Sequence, residues 1–308
     1  MLEKKEKNKI RVGVIRGGAD KYYQNSLLKG RDIISHIFEN LSHKYNVVDI
    51  LIDKNGIWHA GGIPINPADL MSRIDVAWNT SKHLDSSNIL DNLSIPSIEN
   101  GFFSSVVENN NDILRTHIKG IGIKMPRSIV LPSYQKDFDK PIEKYVIEKA
   151  KEVLNKFSAP WIVKSFTPDS SMGIHLAKTF GELVDAIKDG VDHDKSILIE
   201  EFILGKVSSL HSISGFRGED IYVFPPQNFT NSEKEKIISL AKDLHTHLGA
   251  KHYLKSDFVL HPKLGFFLIN VDFSPDLRAL SHFEQSCKYV GAEIHHILEH
   301  LIDRALNK

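Results

Sequence analysis

Three oxygen-bearing residues late in the chain, Asp257, Asn270 and Asp272, have the spacing of a site for a hard cation. Asp257 stands in Lys255-Ser256-Asp257-Phe258, and the other two stand in Phe267-Leu268-Ile269-Asn270-Val271-Asp272-Phe273. Both segments read as buried strands with period-two alternation, which puts Asn270 and Asp272 on one face. Two neighbouring strands offering oxygen ligands from one side suit Mg²⁺, which keeps waters and bridges to nucleotide phosphates. An ordinary hairpin whose acids mark its ends would carry the same residues.

Two earlier segments have chemistry of their own. Pro160-Trp161-Ile162-Val163-Lys164 places a cation at a strand end, and Asp169-Ser170-Ser171-Met172-Gly173-Ile174 follows as a small polar loop. Backbone N–H groups in such a loop can cradle phosphate oxygens, with the lysine adding a point charge, although serine and glycine also make plain turns. About thirty residues on, Ile197-Leu198-Ile199-Glu200-Glu201-Phe202-Ile203-Leu204-Gly205 is an apolar strand ending in two carboxylates and an apolar patch able to hold adenine. His296-Ile297-Leu298-Glu299-His300 has inverted zinc-protease spacing, but it lies almost at the C-terminus, and Ile297 and Leu298 explain its helix as a packed one.

The elements that position these residues follow from periodicity. Ile10 to Ile15 is a short apolar strand running into Gly17-Gly18. A helical repeat follows through Leu27, Gly30, Ile34, Ile37, Phe38 and Leu41. Strands at Asn46 to Ile52 and near Asp75 to Trp78 continue the alternation expected of a parallel α/β sheet. Ser104 to Gly122 is helical and polar, and Val146, Ala150, Val153, Leu154 and Phe157 mark a helix face that Pro160 ends. Trp161 to Lys164 and Ile174 to Ala177 form a strand, loop, strand hairpin. A helix opening with the capping box Ser232-Glu233-Lys234-Glu235 runs to Gly249. One last amphipathic helix is expected to bury Cys287, Val290, Ile294, Ile297, Leu298, Leu301 and Ala305.

Composition narrows the function classes. With 308 residues, 41% hydrophobic and 25% charged, the chain can bury a real core and has room for two domains or more. Lys+Arg and Asp+Glu balance at 39 each without a basic tract, which disfavours nucleic acid. The single Cys287 excludes a disulfide framework or a cysteine-rich zinc site. No apolar run approaches the roughly 20 residues that span a bilayer. Residues 1–9 form a charged segment without a signal core, so a cytoplasmic protein with no membrane partner is expected.

In this order the segments resemble the ATP-grasp superfamily, and within it the D-alanine–D-alanine ligases, over nearly the whole chain. The resemblance implies an α/β ATP-grasp fold with an N-terminal parallel-sheet, Rossmann-like domain over residues 1–100. A central subdomain over 101–190 and a C-terminal subdomain over 191–308 would follow, with ATP between the last two. Gly17-Gly18 with Ser26, Leu27 and Gly30 looks like the family's opening turn and helix. Lys164 matches its nucleotide lysine, and Ser170, Ser171 and Gly173 its phosphate-covering loop. Glu200, with Glu201, Phe202 and Ile203, matches the adenine side, and Gly205 the glycine that follows. Asp257 matches a metal ligand, while Asn270 and Asp272 fall where the family carries Glu and Asn, exchanging acid and amide. Ser281 matches a serine near the substrate pocket, and Lys255 stands for the arginine that stabilises the tetrahedral intermediate.

Other positions depart from the family. Its acidic residue contacting the first substrate's ammonium falls at Tyr22, and Asn79-Thr80-Ser81-Lys82-His83 replaces a Gly-Glu-Asp-Gly segment. A second nucleotide lysine falls at Asn111, with Arg115 one turn on as a substitute. The ribose glutamate falls at Val207, and Asp276 replaces a glycine where an oxyanion should sit. Ser214 to Phe229 is too short for the family's substrate-covering loop. Most of the losses touch the amino-acid substrates, whereas the core of the Mg-nucleotide site, Lys164, Ser170, Ser171, Glu200, Asp257, Asn270 and Asp272, survives in altered form. The resemblance therefore implies an ATP-dependent carboxylate–amine ligase in peptidoglycan precursor synthesis. It would use ATP and Mg²⁺, with Mn²⁺ as an alternative, act on small amino-acid or carboxylate substrates, and form a homodimer. The rival readings are a catalytically degenerate nucleotide-binding protein and a ligase with a different substrate.

Overall fold

The computed structural model describes residues 9–20, 22–82, 84–99, 101–136, 139–166 and 171–307. Up to Ile118 the chain forms β1 (Ile10–Gly17), α1 (Tyr23–Asn40), β2 (Tyr45–Ile52), β3 (Trp58–Ala60), β4 (Ile63–Pro64), α2 (Leu70–Arg73), β5 (Val76–Asn79), α3 (Leu84–Asn92), β6 (Ser97–Ile98), α4 (Gly101–Asn109) and α5 (Asn111–Ile118). Its sheet has the order β4-β3-β2-β1-β5-β6. β2, β1, β5 and β6 are parallel as expected, while β3 and β4 add an antiparallel edge turning at Gly61-Gly62. The core face of α1 is Ser26, Gly30, Ile33 and Ile37. Phe38 was expected on that face, but one residue on from Ile37 it is turned about 100° and is 73% exposed.

Next come β7 (Ser128–Leu131), α6 (Ile142–Lys156), β8 (Trp161–Ser165), β9 (His175–Ala177), α7 (Phe180–Asp192) and β10 (Ile197–Glu201). They form an antiparallel sheet of order β7-β10-β8-β9. β8 and β9 form the expected hairpin. Helices α6 and α7 bury Tyr145, Val146, Ala150 and Val153, and Leu183, Ala186, Ile187 and Val191, against Trp161 and Val163. Leu154, expected on the α6 core face, is exposed, and Tyr145 fills that stripe instead.

The remainder is β11 (Lys206–Ser214), β12 (Ile221–Val223), α8 (Asn231–His247), β13 (Tyr253–His261), β14 (Gly265–Asp272), α9 (His282–Tyr289) and α10 (Ile294–Leu306), with a sheet ordered β12-β11-β13-β14. Two details correct the sequence reading. The α8 capping box is Thr230 with Glu233, not one opening at Ser232: the extended Thr230 accepts from Glu233 N–H, and the Glu233 carboxylate accepts from Thr230 N–H. The expected single C-terminal helix is two, because Gly291, at φ +68°, takes a left-handed conformation that ends α9.

Contacts divide the chain into two compact units. Unit 1 comprises Met1–Gly122, Ser208–Asp257 and Asn270–Lys308, and unit 2 comprises Ile123–Val207 and Phe258–Ile269. Within unit 1 a single apolar core joins Val12, Ile37 and Trp78 to Phe216, Tyr253, Phe283, Ile297 and Leu301. Lys44 and Tyr45 bind Asp303 at its edge, at 2.8 and 2.7 Å. No helix among the described residues is long and apolar enough to cross a membrane.

Candidate active site

In unit 2, strand register places the charged residues. Lys164 of β8 lies opposite Leu198 of β10, and Glu200 lies opposite Ile162, so Lys164 and Glu200 are diagonal neighbours on one face. Lys164 Nζ meets Glu200 Oε2 at 2.6 Å, with the lysine a third exposed and the glutamate mostly buried. Glu201 points elsewhere. The Arg127 guanidinium grips it with Nε–Oε2 and Nη2–Oε1 bonds of 3.0 and 2.8 Å, and these bonds hold its carboxyl below the usual range. Phe202 N–H binds the Pro160 carbonyl at 3.0 Å. Ile203 packs with Val259, Phe267 and Ile269 in a small apolar cluster beside the strand end. A Cβ on Gly205 would run into the Leu260 carbonyl, so the chain turns here only with glycine.

The loop after β8 is described from Ser171 onward, and Ser170 lies outside the described residues. Ser171 and Gly173 are exposed, flanking the buried Met172. Gly173 N–H points at Asp189 Oδ2 at 3.4 Å, and His175 Nε2 is 2.7 Å from that oxygen. One carboxylate of α7 thus tethers the end of the loop.

In unit 1, Lys255 and Asp257 stand two apart on β13, so they share a face and pair at 3.0 Å. Ser209 of β11 donates to Asp257, and the Asn270 amide lies 3.4 Å from it. Asp272 accepts from Ser274 N–H at 2.8 Å and faces Lys29 at 3.9 Å. A cavity of about 320 Å³ opens beside it, with Lys29, Asn79, Glu99, Glu108, Asp276 and Arg278 among its lining. Glu108 pairs with Lys82 at 3.1 Å, and that ammonium sits 4.7 Å from the centre of the Tyr22 ring. Burial, then the Asp272 charge, pushes the Glu108 carboxyl above the usual range.

Residues 122–215 match the family model described as D-ala D-ala ligase C-terminus, a span that contains the whole first segment of unit 2. A D-alanine--D-alanine ligase of Azobacteroides pseudotrichonymphae is 22% identical over 332 positions, covering 95% of this chain and 98% of the relative. The crystal structure of D-alanyl-alanine synthetase A from Vibrio cholerae superposes with a TM-score of 0.75 at 16% identity, covering 98% of this chain and 100% of that one. The D-alanine--D-alanine ligase from Bacillus anthracis complexed with ATP gives 0.69 at 19% identity, covering 98% of each. The chain is thus similar to D-alanine–D-alanine ligases, and it has their ATP-grasp fold.

The candidate metal residues supply two carboxylates and an amide. Among the described residues no group of three or more His, Cys, Asp or Glu could hold a metal ion. The donor set still fits a hard cation. Turning the Asn270 amide end for end would set its oxygen against Asp257, and two oxygens so placed suit Mg²⁺, with phosphates and waters completing the shell. Ser281 serves its own helix: the hydroxyl accepts from Glu284 N–H as the α9 cap and donates to the Asp276 carbonyl at 2.9 Å. Arg115 pairs with Asp112 one turn away on α5. Asp276, expected to repel an oxyanion, is held by Arg278 through bonds of 2.8 and 2.7 Å, so much of its charge is neutralised locally. Sequence reasoning missed Lys29, Glu99 and Glu108. No short motif marks them, and only the packing of distant segments brings them to the site.

Proposed function

We propose that the chain is an ATP-dependent carboxylate–amine ligase of the D-alanine–D-alanine ligase type, working through an acyl phosphate and supplying peptidoglycan precursor. The observation that carries this is the Lys255, Asp257 and Asn270 group: a carboxylate and an amide that can share a cation, beside an ammonium with N–H groups to spare. The purine would rest against Ile203 and its apolar neighbours, with Glu201 and Phe202 shaping the strand end. Lys164 would exchange Glu200 for phosphate, and Ser170, Ser171 and Gly173 would cover the phosphates. The Lys164 pair is partly exposed, so on the scale of about 1 kcal/mol for such pairs the exchange is affordable against a multiply charged phosphate. Asp257, Asn270 and Asp272 would hold Mg²⁺ or Mn²⁺, which would neutralise phosphate charge.

In the reaction, a carboxylate oxygen of the first substrate bonds to the γ-phosphorus and ADP leaves. The amine of the second substrate then attacks the acyl carbon, the C–O bond to phosphate breaks, and the amine's proton passes to phosphate or water. Lys255 faces the negative charge that develops on the acyl oxygen, and losing such a donor typically costs ~3 kcal/mol of barrier. Ser281 and Arg115 are included as substrate-side and nucleotide-side residues, together with a division at residues 100 and 190, a cytoplasmic location and a homodimer. The test is ADP release by the purified protein with ATP and Mg²⁺, with and without D-alanine, then across amino acids and short acids. Release that requires D-alanine supports the ligase, and release with another acid redirects the substrate. Silence throughout leaves the degenerate nucleotide-binding protein, the reading that Tyr22, Val207 and the short Ser214 to Phe229 segment favour.

A further inference from the structure

Tyr253, His211 and His282 form a hydrogen-bonded chain within unit 1. His211 Nδ1 lies 2.7 Å from the Tyr253 hydroxyl, and His211 Nε2 lies 2.8 Å from His282 Nδ1. Tyr253 and His211 are buried, and His282, the first residue of α9, is exposed. Among the described residues His211 Nδ1 is the hydroxyl's one hydrogen-bond partner. A buried hydroxyl hydrogen left without an acceptor is strongly unfavourable, so the phenol donates to Nδ1.

That donation fixes the rest. Burial, then the neighbouring His282 and Lys255, holds His211 well below its ordinary value, so the ring is neutral and carries one hydrogen. With Nδ1 accepting, the hydrogen is on Nε2 and is donated to His282 Nδ1. His282 is also pushed down, by burial and then by Lys255, against an opposing pull from Asp257. A neutral His282 must then carry its own hydrogen on Nε2. No described residue is hydrogen-bonded to that nitrogen, and the charges that act on the ring are those of Lys255 and Asp257. The Asp257 charge is answered by Lys255, whose other two N–H groups have no hydrogen-bond partner among the described residues.

We propose that His282 Nε2–H, locked as a donor by Tyr253 and His211 and backed by the Lys255 charge, binds the carboxylate of the amine-bearing substrate. The choice of substrate rests on the ligase reading. The first substrate's carboxylate is consumed by phosphorylation, whereas the second keeps its own throughout, so a permanent donor serves the second. Tyr253 and His211 touch no substrate and act as positioning residues.

The full-length protein labelled with ¹⁵N-histidine tests both parts by NMR at pH 8. His282 should carry its hydrogen on Nε2, and adding D-alanine should shift that resonance, while D-alaninamide, which lacks the carboxylate, should not. A hydrogen on Nδ1, or no response to D-alanine, overturns the proposal. An equal response to inorganic phosphate overturns the carboxylate assignment in favour of a phosphoryl group. In turnover, His282→Phe should raise KM for D-alanine as nucleophile about tenfold or more, and raise KM for hydroxylamine far less. Equal losses with both nucleophiles also overturn it. Tyr253→Phe, which lets the tautomer relax, should reproduce a smaller KM rise with kcat retained. A D-alanine shift in a protein that releases no ADP would keep this site and remove the ligase reading.

Discussion

The ends of β8 and β10 in unit 2 and the ends of β13 and β14 in unit 1 carry comparable charged residues, but they are assembled differently. Lys164 and Glu200 meet because two antiparallel strands are in register, and Arg127 reaches Glu201 from the segment entering the neighbouring strand β7. Asp257 depends on Ser209, 48 residues away, Asp272 faces Lys29 of α1, and His282 is oriented by His211 and Tyr253. A site made by register needs its sheet and little else. A site made by convergence needs every contributing segment in place, so the two should fail differently.

The largest expected effect separates the cores beneath the two sites. Trp161 is buried and its Nε1–H donates to the Phe157 carbonyl at 3.0 Å, while Phe283 is buried among the aromatic side chains of unit 1. Each change to Ala should cost about 3–5 kcal/mol. In urea titrations followed by hydrogen exchange, Trp161→Ala should open α6 and α7 first, and Phe283→Ala should open α9 and α10. Identical opening patterns would show that the two units unfold as one.

Next is Lys164→Met against Asp257→Asn. Each should lower kcat/KM for ATP by about 10²- to 10³-fold, or ~3–4 kcal/mol. Only Asp257→Asn should change the Mg²⁺ concentration needed for half-maximal ADP release. A Lys164→Met enzyme within tenfold of the parent would remove that lysine from the phosphate site. An unchanged Mg²⁺ requirement in Asp257→Asn would remove the metal assignment.

Unit 1 also contains a histidine held neutral at a cost in acid stability. His245 is buried between Ser212 and Ser214, at 2.7 and 2.9 Å, and burial pushes it down to about 4. Its folded value is depressed from an unfolded value near 6.5, so its contribution is fully present above ~6.5 and is lost as pH falls towards 4. The loss amounts to about 3 kcal/mol at 1.36 kcal/mol per unit. His175 and His193 in unit 2 lie beside Asp189 and are not enclosed in this way. Thermal melts from pH 7 to 4 should therefore show unit 1 weakening more than unit 2, and His245→Gln should flatten the dependence. A pH profile unaltered in that variant would contradict the assignment.

The same contrast explains what could be read from the sequence. The α/β alternation, the hairpin of β8 and β9, and the strands bearing Lys164, Glu200 and Asp257 were legible because local periodicity fixes them. The Tyr253–His211–His282 chain and the Lys82–Glu108 pair were not, since residues 26 to 71 positions apart meet only through packing. Phe38 and Leu154 misled for a related reason. On a helix, an apolar residue one position off the stripe looks the same in sequence as one on it, and tertiary contacts choose between them.

The smallest effect compares one device present in both units. Thr179 caps α7 through Glu182, and Thr230 caps α8 through Glu233, each with both reciprocal bonds. Thr179→Ala and Thr230→Ala should each cost about 1 kcal/mol. Ser232, where the sequence pattern pointed, is an exposed residue inside the first turn of α8, so Ser232→Ala should leave stability within about 0.5 kcal/mol. If the Ser232 change costs as much as the Thr230 change, α8 begins two residues later in solution. If only the Thr230 change matters, its loss should appear in the unit 1 transition and the Thr179 loss in that of unit 2. Equal shifts in one shared transition would show that the register-built and convergence-built sites are stabilised together.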